Sequence, residues 1–365
     1  NINGKAYFNK RSAFFISEDF KVLETNVRNP SLQIKDVKNA ELLINVNLDG
    51  PLKDLIKYSN KAKLSNINNK IIEKISGKAS TDFDIILAFN GNKNFYESNI
   101  NLIDINYDYN KSNKISSLNG KIKFKDNNFY TERNESLKGF YNSQKISFKL
   151  KTDSNKNFII SGKQKINFKD YIKNLDVKKS LTGNAVWRYE ISFPGLSSPS
   201  KNIGIVASSD LEGMSINLPE PFRKSEDNKV STKITAIFDH ETFRDISISY
   251  NGILSEIKSF NSFVGYIDFS GNKRNMPIKK FNLYGSISKI NINDWRDINT
   301  NSNDINLFSY LNKVNIKIKK LFINKVILDN LSIIGSSSDN SFSFEKIIVS
   351  SDKVNIKASG NIENN

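Results

Sequence analysis

The chain has no cysteine, which excludes disulfides, thiolate metal centres and cysteine nucleophiles. It has one histidine, His240, so multi-histidine metal sites are excluded and any Ser-His-Asp triad depends on that residue alone. His240 sits in Phe238-Asp239-His240-Glu241-Thr242, a polar stretch between two apolar alternations, where a solvated turn residue is the simpler reading. Proline is scarce, 7 in 365 residues. No run approaches the roughly 18 consecutive apolar residues of a spanning helix. Gly-rich phosphate loops, the G-x-S-x-G elbow and metal-ligand spacings are missing, and carboxylates fall in turns or on polar strand positions. The sequence therefore offers no catalytic residue, no cofactor site and no metal ligand, and reads as a non-enzyme.

Arginine is also scarce, 8 against 46 lysines, within a net charge of +16. Nucleic-acid surfaces favour arginine for its bidentate fork, and these lysines are spread along the chain rather than clustered, so no nucleic-acid partner is expected. Lysine, asparagine and isoleucine crowd the whole sequence, as AT-rich codon usage produces; attraction to an anionic membrane surface is the functional alternative. Hydrophobic residues make up only 38%, yet 25 phenylalanines exclude a disordered chain.

What fills the sequence is strict alternation. Leu42, Ile44, Val46 and Leu48 take one face, with Asn45, Asn47 and Asp49 on the other. Phe83, Ile85, Leu87 and Phe89 repeat the pattern, as do Ile103, Ile105, Tyr107 and Tyr109. Ile122 and Phe124 alternate with Lys121, Lys123 and Lys125, and Ile146, Phe148 and Leu150 with Lys145, Ser147, Lys149 and Lys151. Val314, Ile316 and Ile318, then Phe342 and Phe344, then Val354, Ile356 and Ala358 follow downstream. Period two with one apolar face predicts antiparallel strands wet on one side. Turn clusters such as Asn90-Gly91-Asn92 and Thr152-Asp153-Ser154-Asn155 separate them, as in a hairpin meander. Short helices are expected at Pro51–Tyr58, at 69–75, at 294–297 and at 304–312.

About 22 to 26 alternating runs imply a sheet of roughly 110–120 Å at about 4.8 Å per strand. Ordinary open sheets rarely exceed about ten strands, so this one must close, split into stacked sandwiches, or curl into a trough. The helices are too few to cover its apolar face. A trough whose interior meets something other than water, and two or three stacked sandwiches, both satisfy the pattern.

One stretch breaks the alternation. Asp210-Leu211-Glu212-Gly213 and the pair Met214 and Ile216 lead into Leu218-Pro219-Glu220-Pro221-Phe222-Arg223-Lys224. Two prolines so close cannot sit in a ladder, which predicts an excursion at the sheet rim with Glu220 solvated. Trp187 is expected to pack on the apolar face, and Trp295 at an edge or cap. The chain begins without Met, and both ends cut into alternating runs, so a fragment of a longer protein is expected, with targeting and anchoring segments outside it.

From Gly183 onward the sequence resembles the YhdP family of AsmA-like bacterial proteins. The resemblance is carried by Gly183-x-x-x-Trp187, Ala207-Ser208-Ser209-Asp210-Leu211-Glu212-Gly213 and Leu218-Pro219-x-Pro221-x-x-Lys224. Gly50-Pro51-Leu52-Lys53-Asp54-Leu55, Ser76-Gly77-Lys78-Ala79 and Ile290 to Trp295 are similar to other stretches of that family. The resemblance implies an all-β fold: a long, highly twisted antiparallel sheet curled into an open hydrophobic groove, with a few short helices. It also implies a division into 1–182, the first half of the groove; 183–290, the segment with the Leu-Pro-x-Pro element; and 291–365, the start of a C-terminal AsmA-like segment. The implied activity is a bridge-like phospholipid conduit between the inner and outer membranes of a Gram-negative envelope. Such a protein is periplasmic and anchored in the inner membrane by a segment outside this chain. Acyl chains would be its partners, lying on the apolar sets from Leu42 to Leu150 named above. A structural or adhesive β-sandwich protein with closed cores is the alternative.

Overall fold

The computed structural model describes residues 3–38, 40–61, 67–89, 91–110, 113–126, 128–167, 180–195, 201–239, 242–259, 262–296, 310–337, 341–350 and 355–363. His240 and most of the helix expected at 304–312 lie outside them. The fold is all-β. Among the described residues there are 25 strands and three short helices, with 23 strands in one mixed sheet and two in a separate pair. No helix among them is long and apolar enough to cross a membrane. The chain divides into two compact units: Asn1–Lys163 with Glu190–Lys201, and Gln164–Tyr189 with Asn202–Asn365.

In chain order the first strands are β1 (Gly4–Phe8), β2 (Ala13–Ser17), β3 (Phe20–Val22), β4 (Thr25–Ile34) and β5 (Glu41–Pro51). Helices α1 (Leu52–Lys61) and α2 (Asn69–Ile72) follow, then β6 (Ile75–Ala88), β7 (Phe95–Asn110), β8 (Asn113–Lys125) and β9 (Asn128–Tyr130). Next come β10 (Leu137–Tyr141), β11 (Gln144–Thr152) and β12 (Phe158–Ile166). In the first unit every pairing is antiparallel, running β1–β2–β4–β5–β6–β7–β8–β10–β11–β12. The short β3 pairs with β4, and β9 lies against both β8 and β11. No described pairing returns from β12 to β1, so this sheet is not a closed barrel.

Turn chemistry sets the registers. The two-residue loop Asn142-Ser143 has positive φ at both positions, as the twist of a right-handed hairpin demands. Asp153 ends β11 by accepting from the backbone N–H groups of Asn155 and Asn157 at 2.9 and 2.8 Å; these bonds hold its carboxyl below its ordinary pKa. Helix α1 starts straight after Pro51, where a proline costs no hydrogen bond.

The second unit contains β13 (Leu181–Gly183), most of β14 (Ala185–Phe193), β15 (Asn202–Ser209), β16 (Met214–Ile216), β17 (Thr232–Asp239), β18 (Thr242–Tyr250), β19 (Ile253–Ser259), β20 (Phe263–Asp268) and β21 (Phe281–Asn291). Helix α3 (Ile292–Arg296), β22 (Leu311–Ile323), β23 (Val326–Ser337), β24 (Ser341–Ser350) and β25 (Asn355–Glu363) complete it. Strands β15–β17–β18–β19–β20 are antiparallel neighbours, as are β22–β23–β24–β25. The purely antiparallel expectation fails in between: β20 with β21, and β21 with β22, are parallel. The chain from Asp268 to Phe281, and that from Asn291 to Leu311, are each long enough for the crossover that parallel pairing needs. Strands β13 and β16 form the separate pair.

Candidate functional site: a one-sided apolar face and a roofed cavity

Residues opposite each other across a ladder share a face, so the registers show which expected residues come together in the first unit. Leu42, Ile44 and Val46 of β5 lie opposite Leu87, Ile85 and Phe83 of β6, and Leu48 opposite Thr81. On β7 the same face continues through Tyr96, Ser98, Ile100 and Leu102, and on β8 through Phe124 and Ile122. Leu137 of β10 then meets Phe148 of β11, and Gly139 meets Ile146. Leu150 meets Ile160 of β12. Ala79, Leu102, Ile105, Leu137 and Phe148 form the buried core of this face, and from α1 Leu52 and Leu55 pack onto it. Most other residues of the face, including Ile44, Val46, Ile85 and Ile122, are only half-buried.

Two of the expected residues do not join that face as the alternation predicted. Ile103 points to the other side and is 41% exposed. The cause is a bulge: Asp104 has φ 51°, the β7–β8 register shifts between Leu102 and Ile105, and Ile105 and Tyr107 fall back in phase with Leu102. Gly77 of β6, with φ 103°, accommodates the bulge, and a Cβ there would run into the Asp104 backbone. Phe89 follows the last residue of β6 and is 71% exposed.

A row of phenylalanines crosses this face. Phe83 stacks on Phe124 at 6.4 Å and 6°, above Ser98, which lies opposite both and is 1% exposed. Phe124 continues to Phe129 at 4.7 Å, Phe129 to Phe158 at 5.7 Å and Phe158 to Phe193 at 5.5 Å. The opposite face is polar and ion-paired. Lys123 meets Glu132 at 2.5 Å, raising the lysine pKa and lowering that of the glutamate, and Lys125 meets Glu97 at 3.4 Å. These pairs are solvent-exposed and stabilise the sheet little; they keep that side wet.

In the second unit the same kind of face is roofed. Ile234 of β17, Ile248 of β18, Ser255 of β19 and Ile267 of β20 lie in one cross-strand line, with Thr232, Tyr250 and Ile253 beside them. Over this floor stand Leu211, Met214, Ile216, Leu218 and Phe222, with Leu181 and Trp187 at one side, lining an open-sided apolar cavity of about 370 Å³. Trp187 is 3% exposed, in agreement with its expected place on the apolar face. The roof is the β13–β16 pair and the Leu218–Lys224 turn. Gly183 and Gly213, at φ 83° and 82°, let the backbones of that pair meet where a Cβ on Gly183 would strike the Gly213 carbonyl.

The turn is therefore not a rim excursion. An isolated bridge joins Ile216 to Lys224 in both directions, at 2.8 and 3.0 Å, and the Glu220-Pro221 peptide between them is cis. Lys224, 3% exposed, donates from Nζ to the carbonyls of Met214, Ser225 and Glu226 at 2.6, 2.8 and 3.4 Å; burial pulls its pKa down. Tyr250 donates its hydroxyl to the Phe222 carbonyl at 2.9 Å, and burial, with Glu220 nearby, pushes its pKa up to about 12. Trp295 of α3 donates Nε1 to the Glu220 carbonyl at 3.0 Å and sets its ring 6.0 Å from Phe222. It is a clamp on the roof, where the sequence suggested an edge or a cap.

The residues expected to line a groove, Leu42 to Leu150, all belong to the first unit. The floor and roof of the cavity escaped that expectation, although Ile234 and Ile248 stand in alternating runs like the others. So did Phe129, Phe158 and Phe193, which extend the aromatic row from Phe83 and Phe124.

Residues 1–364 match the protein family described as YhdP protein. No curated protein and no solved structure matches the chain.

Proposed function

Because the chain belongs to the YhdP family, we propose that it is a length of an AsmA-like lipid conduit in a Gram-negative envelope. In this reading it is periplasmic, anchored in the inner membrane through sequence outside the chain, and carries phospholipid toward the outer membrane with its acyl chains on the apolar sheet face. The observation that carries the reading is the cross-strand alignment from Leu42–Leu48 through Phe83, Ile85, Ile122 and Phe124 to Leu150. These strands put apolar side chains on one side and lysines, asparagines and aspartates on the other, and among the described residues the helix packed onto the apolar side is α1.

The mechanism is partition, with no bond made or broken. Each methylene leaving water for such a face gains about 0.8 kcal/mol. Along the face of the first unit similar residues repeat from strand to strand, so no position on it holds a chain much more tightly than the next, and chains slide. The polar face and its ion pairs stay in water and keep the strand edges soluble. Lipid extracted from the purified full chain and quantified by mass spectrometry tests the proposal. Phospholipid should co-purify with the wild type and with Lys145→Glu on the polar face, and fall severalfold with Ile44→Glu or Ile85→Glu in folded protein. Absence of lipid, or equal loading in all four proteins, would overturn the reading.

A further inference from the structure

The cavity of the second unit differs from the open face of the first in having a roof, and three of the polar groups around it are already engaged. Tyr250 donates to the Phe222 carbonyl, Thr232 donates to the Val230 carbonyl, and the Lys224 ammonium is turned onto three backbone carbonyls. No charged side chain is in its lining. A charged or zwitterionic headgroup has no partner inside, whereas a hydrocarbon chain needs none. The size is also specific. A methylene takes about the room of a water molecule in the liquid, ~30 Å³, so about 370 Å³ holds roughly a dozen methylenes. That is room for the greater part of one alkyl chain between floor and roof.

We propose that this cavity is a single-chain site, which takes one unbranched alkyl chain between the floor at Ile234, Ile248 and Ile267 and the roof at Met214, Leu218 and Phe222. The inference rests on the lipid reading above and gives it a fixed station: the roof, fastened by the Ile216–Lys224 bridge and by Trp295, clasps one acyl chain of a lipid and leaves its headgroup and any second chain outside.

Trp187 in the lining and Trp295 outside it are the chain's 2 tryptophans, which makes the test direct. Delipidated full chain is titrated with 9,10-dibromostearate, whose bromines quench nearby indoles. Trp295→Phe isolates the Trp187 signal, and Trp187→Phe isolates that of Trp295. The expected result is saturable quenching of Trp187, with one chain bound at the site that quenches it, at least twice as deep as that of Trp295. Filling the floor with Ser255→Leu, or separately with Ile248→Phe, should weaken binding at least fivefold. Lys145→Glu, on the polar face of the first unit, should leave it unchanged. Trp187 quenching that does not saturate, saturation that needs two or more chains at that site, or wild-type affinity in both folded filling variants would overturn the proposal. If phospholipid co-purifies and depends on Ile85 while Trp187 stays unquenched, only the single-chain site falls. If Trp187 is quenched but no lipid depends on Ile85, the conduit reading falls instead.

Discussion

Lys224→Met removes the ammonium that ties the roof of the second unit to itself, while keeping an unbranched side chain of similar reach. In the native protein the 2.6 Å bond to the Met214 carbonyl and the 2.8 Å bond to that of Ser225 are charge-assisted, and the third at 3.4 Å is weak. Burying the ammonium costs several kcal/mol, and the substitution relieves that cost, so the full value of the bonds is not lost. What remains is the Met214 carbonyl, beneath a side chain that no longer donates, at about 1–3 kcal/mol. Ser225 is exposed, and water can replace its donor. The expected loss is therefore about 1–3 kcal/mol, or a roughly 5- to 150-fold shift toward the unfolded state. Both tryptophans lie in this unit, so urea unfolding followed by their emission reports it, and the midpoint should fall at unchanged slope. A loss below about 1 kcal/mol at unchanged slope would refute the reasoning and leave the Ile216–Lys224 backbone bridge as the fastening.

Gly77→Ala places a Cβ against the Asp104 backbone at φ 103° and should cost more than about 2 kcal/mol, with faster amide exchange in β6 and β7; unchanged exchange would remove the bulge from the account. The raised pKa of Tyr250 gives a signed pH effect. Its contribution is complete below the ordinary tyrosine value of 10.0 and is lost as pH rises through about 12. Tryptophan emission should thus report loosening of the roof over that interval, and Tyr250→Phe should abolish that step while costing about 1 kcal/mol at neutral pH.

The sheet was legible because alternation is a local property: Leu42–Leu48 or Ile146–Leu150 reveal a strand and its two faces without reference to any partner. Helix α1 was legible from Pro51 for the same reason. Ile103 was misplaced because a one-residue bulge reverses the face of everything on one side of it, and Asp104 gives no sign in isolation that it adopts positive φ. The parallel strands β21 and β22 were missed because strand direction depends on the route of the crossover, not on the strand. The Leu-Pro-x-Pro turn was recognised as a break but not as a roof. Its fastenings, Lys224 to Met214, Tyr250 to Phe222 and Trp295 to Glu220, span 10, 28 and 75 residues of sequence, and each donor looks like an ordinary surface or edge residue when read alone.

The proposed conduit holds lipid chains on one face of the sheet, and Ile103 makes a clean test of that placement. It has the same side chain as Ile85 and Ile122, but the bulge turns it to the polar side. A photo-crosslinking amino acid placed in turn at positions 85, 122, 103 and 84 of the protein in its native envelope should capture phospholipid at 85 and 122 and not at 103 or 84. Equal capture at 103 and 85 would contradict the account, because hydrophobicity alone, and not the face the sheet presents, would then decide where lipid is found.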